Sequence, residues 1–284
     1  MYQELVDFIS DEWIKTIKES EHFSSYKGDE EKEKKLWNEI SKRYDDGLGS
    51  DNLRVSRIIE ILLNKKIIDS DTTALDIGSG TGAYAIGLSK ICKKVYALDY
   101  SDGMLKVLKN KTEHISNIET VNFNWEKGNI SDLKLEDEID FSISSLNTGI
   151  MNKENLLKMN EITKKACCYV TTAGLSKTKT NEDLEKLILG RKLVHKLGND
   201  VVFPFCILYG MGFYPELEYV KSSWKREITP EEAIENIIKK YSLYKEINKD
   251  VKIKIERYVF ENLNKNKLFL EKNSYKLGIL TWFK

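Results

Sequence analysis

Residues Ala74–Ala83 read ALDIGSGTGA, and about twenty residues later Val95–Ser101 reads VYALDYS. Leu75 to Ile77 is short and apolar and stops at three closely spaced glycines, Gly78, Gly80 and Gly82. Apolar residues then follow at Tyr84, Ile86, Leu88 and Ile91. The pattern predicts a buried strand, a tight glycine turn and a helix. Glycines suit that turn because the backbone must bend sharply with positive φ. A ligand lying against the main chain also leaves no space for a Cβ. Val95–Leu98 reads as a second buried strand ending in a carboxylate, Asp99. A carboxylate at the tip of the neighbouring parallel strand can accept both hydroxyl hydrogens of a ribose. The two stretches together describe a pocket for a nucleoside-containing cofactor.

Two cofactor classes compete for that pocket. GSGTGA satisfies the dinucleotide pattern G-x-G-x-x-G/A with an acid at a suitable distance, so an NAD(P)-dependent oxidoreductase is one reading. Three features oppose it. Asp76 stands two residues before the first glycine, where its charge is unwelcome beside a pyrophosphate but suits a cofactor carrying an ammonium and a sulfonium. The glycines are spaced G-x-G-x-G, and about seventy residues of helical sequence precede the strand. The run Asp76-Ile77-Gly78-Ser79-Gly80-Thr81-Gly82, followed by Asp99, resembles the class I S-adenosylmethionine-dependent methyltransferases. Their first motif is an acid before G-x-G-x-G, and their second is an acid closing the second strand. The resemblance spans roughly Asp71 to Ile150.

It implies an α/β fold: a Rossmann-like, seven-stranded, mostly parallel sheet with helices on both faces, whose last strand runs antiparallel. It implies transfer of a methyl group from S-adenosyl-L-methionine, here to a small-molecule acceptor. A third reading is a non-catalytic protein that keeps the nucleoside pocket as a sensor or scaffold.

The resemblance also assigns roles. Gly78, Ser79, Gly80 and Gly82 form the turn against the cofactor, Asp76 faces its amino group directly or through water, and Asp99 holds the ribose. Tyr100 is placed to cover the adenine, with Met104 a possible second contact. After the third strand the family carries an acid and an apolar or aromatic neighbour that read the adenine edge. Asn124-Trp125 fits best, with Asn129-Ile130 as the fallback, and either choice replaces the acid by an amide that can still accept a hydrogen bond. Ser145, Leu146 and Asn147 follow the fourth strand and face the methyl side, with a turn role equally open for Asn147. They do not form the N-P-P-[YF] motif of amino-group methylases. Tyr44, in the aromatic-rich segment LWNEISKRYDD, is a candidate for a lid over the cofactor. Simple packing is the alternative. No catalytic base is named. His22, His114 and His195 are isolated, and methyl transfer from an activated sulfonium needs chiefly positioning and desolvation.

The remaining sequence bounds the answer. With 284 residues, one α/β domain and an elaboration can be built. Lys plus Arg and Asp plus Glu number 45 each, so no global field draws in nucleic acid or an anionic membrane. Cys92, Cys167, Cys168 and Cys206 lack metal-ligand spacing, so no metal is expected. No leader pattern or membrane-span run is visible, which leads to the expectation of a soluble, cytoplasmic chain. Amphipathic spacing predicts helices over 1–20, about 32–44 and, capped by Ser50 after the turn Gly47–Gly49, through Val55–Leu62. Residues 1–70 are therefore expected to be a helical extension, which the resemblance implies is a lid, and 71–284 the domain. An insertion near 175–214 would carry the aromatic stretch FPFCILYGMGFYPELEY. In the order of the chain, strands are expected at 73–77, 95–99, about 119–123, 139–144, 166–172, 216–223 and 275–283. A polar helix is expected over 181–197, and Thr229-Pro-Glu-Glu232 predicts a capped helix start.

Overall fold

The computed structural model describes residues 2–24, 28–46, 52–135, 137–174, 178–193 and 199–284, with the backbone alone for 22, 24, 43, 46 and 52. The turn at Gly47–Gly49, the cap at Ser50, and His195 lie outside the described residues, as does the side chain of His22. The chain opens with α1 (Gln3–Glu19), α2 (Glu21–Ser24), α3 (Glu30–Ile40), a 3-10 turn (Ser41–Asp46) and α4 (Asn52–Asn64). There follow β1 (Thr73–Ile77), α5 (Ala83–Ser89), β2 (Lys94–Asp99), α6 (Asp102–Thr112), β3 (Ile118–Asn122), β4 (Ile139–Ser145), α7 (Lys153–Ile162) and β5 (Thr163–Thr172). The last part holds α8 (Lys179–Leu189), α9 (Val202–Gly210), β6 (Glu216–Ile228), α10 (Pro230–Tyr241), α11 (Lys249–Glu261) and β7 (Phe269–Phe283).

The seven strands form one sheet in the order β3-β2-β1-β4-β5-β7-β6. β1 to β5 pair in parallel, and β7 runs antiparallel to both β5 and β6. Strand order reverses between β1 and β4, which opens a crevice at the carboxyl ends of those strands. Alternate residues of each strand feed two cores, as the two-residue repeat of a doubly covered sheet requires. Ala74, Val95, Ala97 and Phe141 pack with α4, α5 and α6 on one face. Leu75, Tyr96, Leu98 and Tyr169 pack with α1, α7 and α9 on the other. The expected sheet and its helices on both faces are therefore present.

A third core joins α8, α10 and α11 to Ile228 and Phe269 at the far end of the β6–β7 pair. Both strands are longer than expected, and α10 and α11 lie between them in the chain. β6 continues to Ile228 and β7 begins at Phe269, whereas β5 covers β7 only from Leu277 onward. The outer half of the pair therefore projects as a two-stranded arm past the end of β5. The polar helix ends at Leu189 rather than 197, where Gly190 takes φ +73° and closes it.

The Thr229 cap forms as expected, its Oγ1 accepting from Glu232 N–H at 3.2 Å. Replacing Thr229 with alanine leaves that amide to solvent and should lower stability by about 1 kcal/mol in urea denaturation.

Candidate cofactor site

The glycine turn is fastened to the tip of β2. Gly78 and Ser79 N–H both donate to the Leu98 carbonyl, at 2.8 and 2.9 Å. Gly80 N–H donates to Asp99 Oδ2 at 2.9 Å, and Ser101 N–H to Asp99 Oδ1 at 2.8 Å. Ser101 in turn caps α6 through Met104 N–H. The three glycines answer different demands. A Cβ on Gly78 would lie 2.6 Å from the Asn147 amide carbon, and one on Gly82 would collide with Leu108 of α6. A Cβ on Gly80 would meet nothing nearer than Tyr44 Cε1 at 3.8 Å. Only at Gly80 does the missing side chain leave open space.

That space belongs to a cleft of about 840 Å³, its mouth included, at the carboxyl edge of β1, β2 and β4. Gly78, Gly80, Asp99, Tyr100, Met104, Asn124, Trp125, Ser145, Leu146 and Tyr44 all line it. Three of the expected residues do not. Gly82 packs under α6, and Ser79 is buried behind the turn. Asp76 is 1% exposed, and its Oδ2 accepts from Ala85 N–H at 3.0 Å, which caps α5. The fallback pair Asn129-Ile130 lies away from the cleft lining.

Other side chains are more committed than the sequence suggests. Asn124 Oδ1 accepts from Glu126 and Lys127 N–H, at 3.1 and 3.2 Å, so its oxygen already holds a turn. Trp125 is buried, with its indole N–H donating to the Asn155 carbonyl at 3.0 Å. Asn147 donates to the Ile77 carbonyl and Ser144 Oγ, both at 3.2 Å, and accepts from Gly149 N–H. Leu146 takes φ +53°, held by its N–H bond to Val170 O at 2.8 Å. A leucine in that conformation is strained, and such strain concentrates at ligand sites.

The N-terminal segment closes over this cleft. Asn38 Oδ1 on α3 accepts from Ser101 Oγ at 2.7 Å and Gly103 N–H at 2.9 Å. Asp45 accepts from Thr81 Oγ1 at 2.6 Å and Lys111 Nζ at 2.8 Å. Glu30 accepts from Asn124 Nδ2 and Lys127 Nζ, both at 2.8 Å. Tyr44, Trp37, Glu30 and Glu33 thereby join the cleft lining. The sequence reading missed all of these but Tyr44. Their partners lie tens of residues away, so no local pattern marks them.

The cleft is acidic. Among the described residues, Glu30, Glu33, Asp99 and Glu126 line it against a single cation, Lys127. Burial pushes the Asp99 carboxyl above its ordinary range, opposed by the N–H groups of Ser101 and Gly80. Burial pushes Asp76 up to about 7, and the Asp99 charge acts in the same direction. A pyrophosphate entering here would meet four carboxylates and one lysine, so its negative charge is disfavoured, whereas a cation is welcomed.

Residues 74–166 match the family model described as a methyltransferase domain. The chain carries a class I S-adenosylmethionine-dependent methyltransferase domain. S-adenosyl-L-methionine is therefore its cofactor, and the oxidoreductase reading of GSGTGA is set aside.

Among curated relatives, the demethylmenaquinone methyltransferase of Staphylococcus carnosus is 30% identical, over 49% of this chain and 58% of that protein. A Methanocaldococcus jannaschii protein described as a cobalt-precorrin-6B C(15)-methyltransferase is 27% identical, over 35% of this chain and 51% of that protein. This chain thus spans between half and two thirds of their lengths. The magnesium protoporphyrin IX methyltransferase of Synechocystis PCC 6803, solved with bound SAH, superposes with a TM-score of 0.48. It shows 13% identity over 82% of this chain and 83% of its own.

The methyltransferase domain offers what that cofactor requires. Its cleft is acidic, the space at Gly80 is open, and the buried hydroxyl of Tyr100 in the lining has no hydrogen-bond partner among the described residues.

Asp76 gives this fit a pH signature. In the free protein the folded state holds a proton that the unfolded chain loses between about pH 4 and 7, so stability should fall as pH rises through that window. A cation favours the ionised form, so below about pH 7 binding must expel the proton. Affinity for S-adenosylhomocysteine, whose ammonium is retained, should fall about tenfold per pH unit below that point and level off above it. Calorimetry between pH 5.5 and 8.5 checks this, roughly one decade per unit being the expected slope. A flat profile would mean that Asp76 serves α5 alone.

Proposed function

We propose that this chain transfers the methyl group of S-adenosyl-L-methionine to a small-molecule acceptor in the cytoplasm. The observation that carries the reading is a closed, acidic cleft at the carboxyl edge of β1, β2 and β4, roofed by α3 and Tyr44. A roof held by Asn38 and Asp45 suits a small acceptor better than a polymer, which needs an open groove. Both curated relatives are named for small-molecule acceptors.

In this reading residues 1–70 form the lid and 71–284 the catalytic unit. Asp99 accepts from the ribose hydroxyls, and Gly78 and Gly80 admit the methionine part, with Asp76 behind them. Tyr100 and Met104 hold the adenine, and the Asn124-Trp125 turn borders it. Ser145 and Leu146 form the wall on the acceptor side. When bound, the cofactor supplies an activated methyl on a sulfonium, with a neutral leaving group. The chain's own contribution is positional: α3 and Tyr44 exclude water, and the strained loop at Leu146 fixes the acceptor-side wall.

The test is incubation of the purified protein with labelled methyl donor and a metabolite extract, followed by mass spectrometry. Label should appear on a low-molecular-weight compound. Label confined to protein or RNA, or binding without any transfer, would contradict the proposal.

A further inference from the structure

The arm formed by β6 and β7 carries charge differently on its two faces. On one, Arg226 lies opposite Glu271 and donates to it at 2.6 Å. On the other, Lys221 lies opposite Lys276, and Lys225 opposite Lys272, with Ser223 opposite Ser274 between the pairs. All four lysines are exposed, and none makes an ion pair with a described residue. Like charges in directly opposed positions cost stability. Lysine on a strand edge does discourage edge-to-edge pairing, but that purpose does not require the lysines to oppose one another. The zero net charge of the chain averages this patch away.

The lysines adjoin an apolar surface. Lys221 and Lys276 share a groove with Val202 and Phe205 of α9 and with Tyr219, which is 61% exposed. The helix reads VFPFCILYG, without a charged residue. Phe205 stacks on Tyr209 at 6.1 Å, and Tyr209 meets Tyr214, itself 70% exposed, edge-on at 5.6 Å. Aromatic and aliphatic side chains beside a lysine cluster match the boundary of a bilayer, where rings settle among headgroups and lysines meet anionic lipid.

We propose that this surface, α9 together with the lysine face of the β6–β7 arm, docks the protein on an anionic membrane. Two features favour lipid over a single-stranded nucleic acid. Lysines and aromatics occupy separate zones rather than alternating, and exposed aliphatic groups such as Val202 and Met211 offer nothing for a base to stack on. The proposal stands apart from the cofactor cleft and does not depend on the acceptor.

Flotation with phosphatidylcholine vesicles, with and without phosphatidylserine, tests it. The full chain should float only with the phosphatidylserine vesicles and be released by salt. Lys272→Gln combined with Lys276→Gln should weaken that binding roughly thirtyfold, each lysine near an anionic surface contributing about a factor of five. Tyr214→Ser should weaken it too, and all variants should keep the wild-type affinity for S-adenosylhomocysteine. Failure of the wild type to float, flotation indifferent to the lysines, or capture by oligouridylate in place of vesicles would each overturn the proposal.

Discussion

Replacing Gly80 with asparagine should leave the protein folded and weaken cofactor binding by roughly a hundredfold, the equivalent of about 3 kcal/mol of overpacking in a site that cannot relax. Asparagine is the informative choice because Gly80 has φ +54°, a conformation asparagine tolerates better than other side chains. The turn can therefore survive, its N–H still donating to Asp99. The new side chain would enter the open space of the cleft, directed toward Tyr44 and Met104. Gly78 and Gly82 make poor probes, since a Cβ at either strikes Asn147 or Leu108 and loss of binding would follow from misfolding. Calorimetric titration with S-adenosylhomocysteine, alongside a thermal melt, separates the two effects. Unchanged affinity in a folded Gly80→Asn protein would mean that the cofactor does not lie against this turn.

The second large effect is expected at Asp99. Its carboxylate joins the glycine turn to α6 by accepting from Gly80 and Ser101 N–H, and it faces the cleft. Hydrogen bonds to a charged acceptor contribute about 1.5–3 kcal/mol each, so Asp99→Ala should cost about 3 kcal/mol of binding, near a hundredfold in Kd. Asp99→Asn keeps one acceptor oxygen but turns an amide donor toward a hydroxyl, and should fall between. Stability should move less than binding. Two buried N–H groups lose their acceptor, but a carboxyl disfavoured by burial is removed as well. Equal losses in binding and stability would reduce Asp99 to a structural tie.

The nucleotide-binding half of the chain was legible because its signals are local. Ala74–Ala83 compresses strand, turn and helix into ten residues, and Asp99 closes the next buried run. The caps at Ser101 and Thr229 were readable for the same reason, each being a hydroxyl followed by its own helix. The outer half of the β6–β7 arm was not legible. Its lysine face is solvated, so apolar residues do not alternate there, and beyond the strand expected to 223 the run Trp224 to Glu227 holds three consecutive charged residues. The core shared by α8, α10 and α11 gathers segments separated by a strand and a helix, which no window could join. A lid was expected over 1–70, but the side chains that fasten it were not legible, because Asn38, Asp45 and Glu30 find partners 36 to 97 residues away. Asp76 was read for its charge alone, whereas the fold also gives it the Ala85 N–H to cap.

The most direct measurement is a crystal structure of the full chain with S-adenosylhomocysteine. The ribose should lie within hydrogen-bonding distance of Asp99, the adenine beside Tyr100 and the sulfur toward Ser145 and Leu146, all beneath α3. Density for the compound outside this cleft, or a cleft filled by side chains at saturating ligand, would contradict the account.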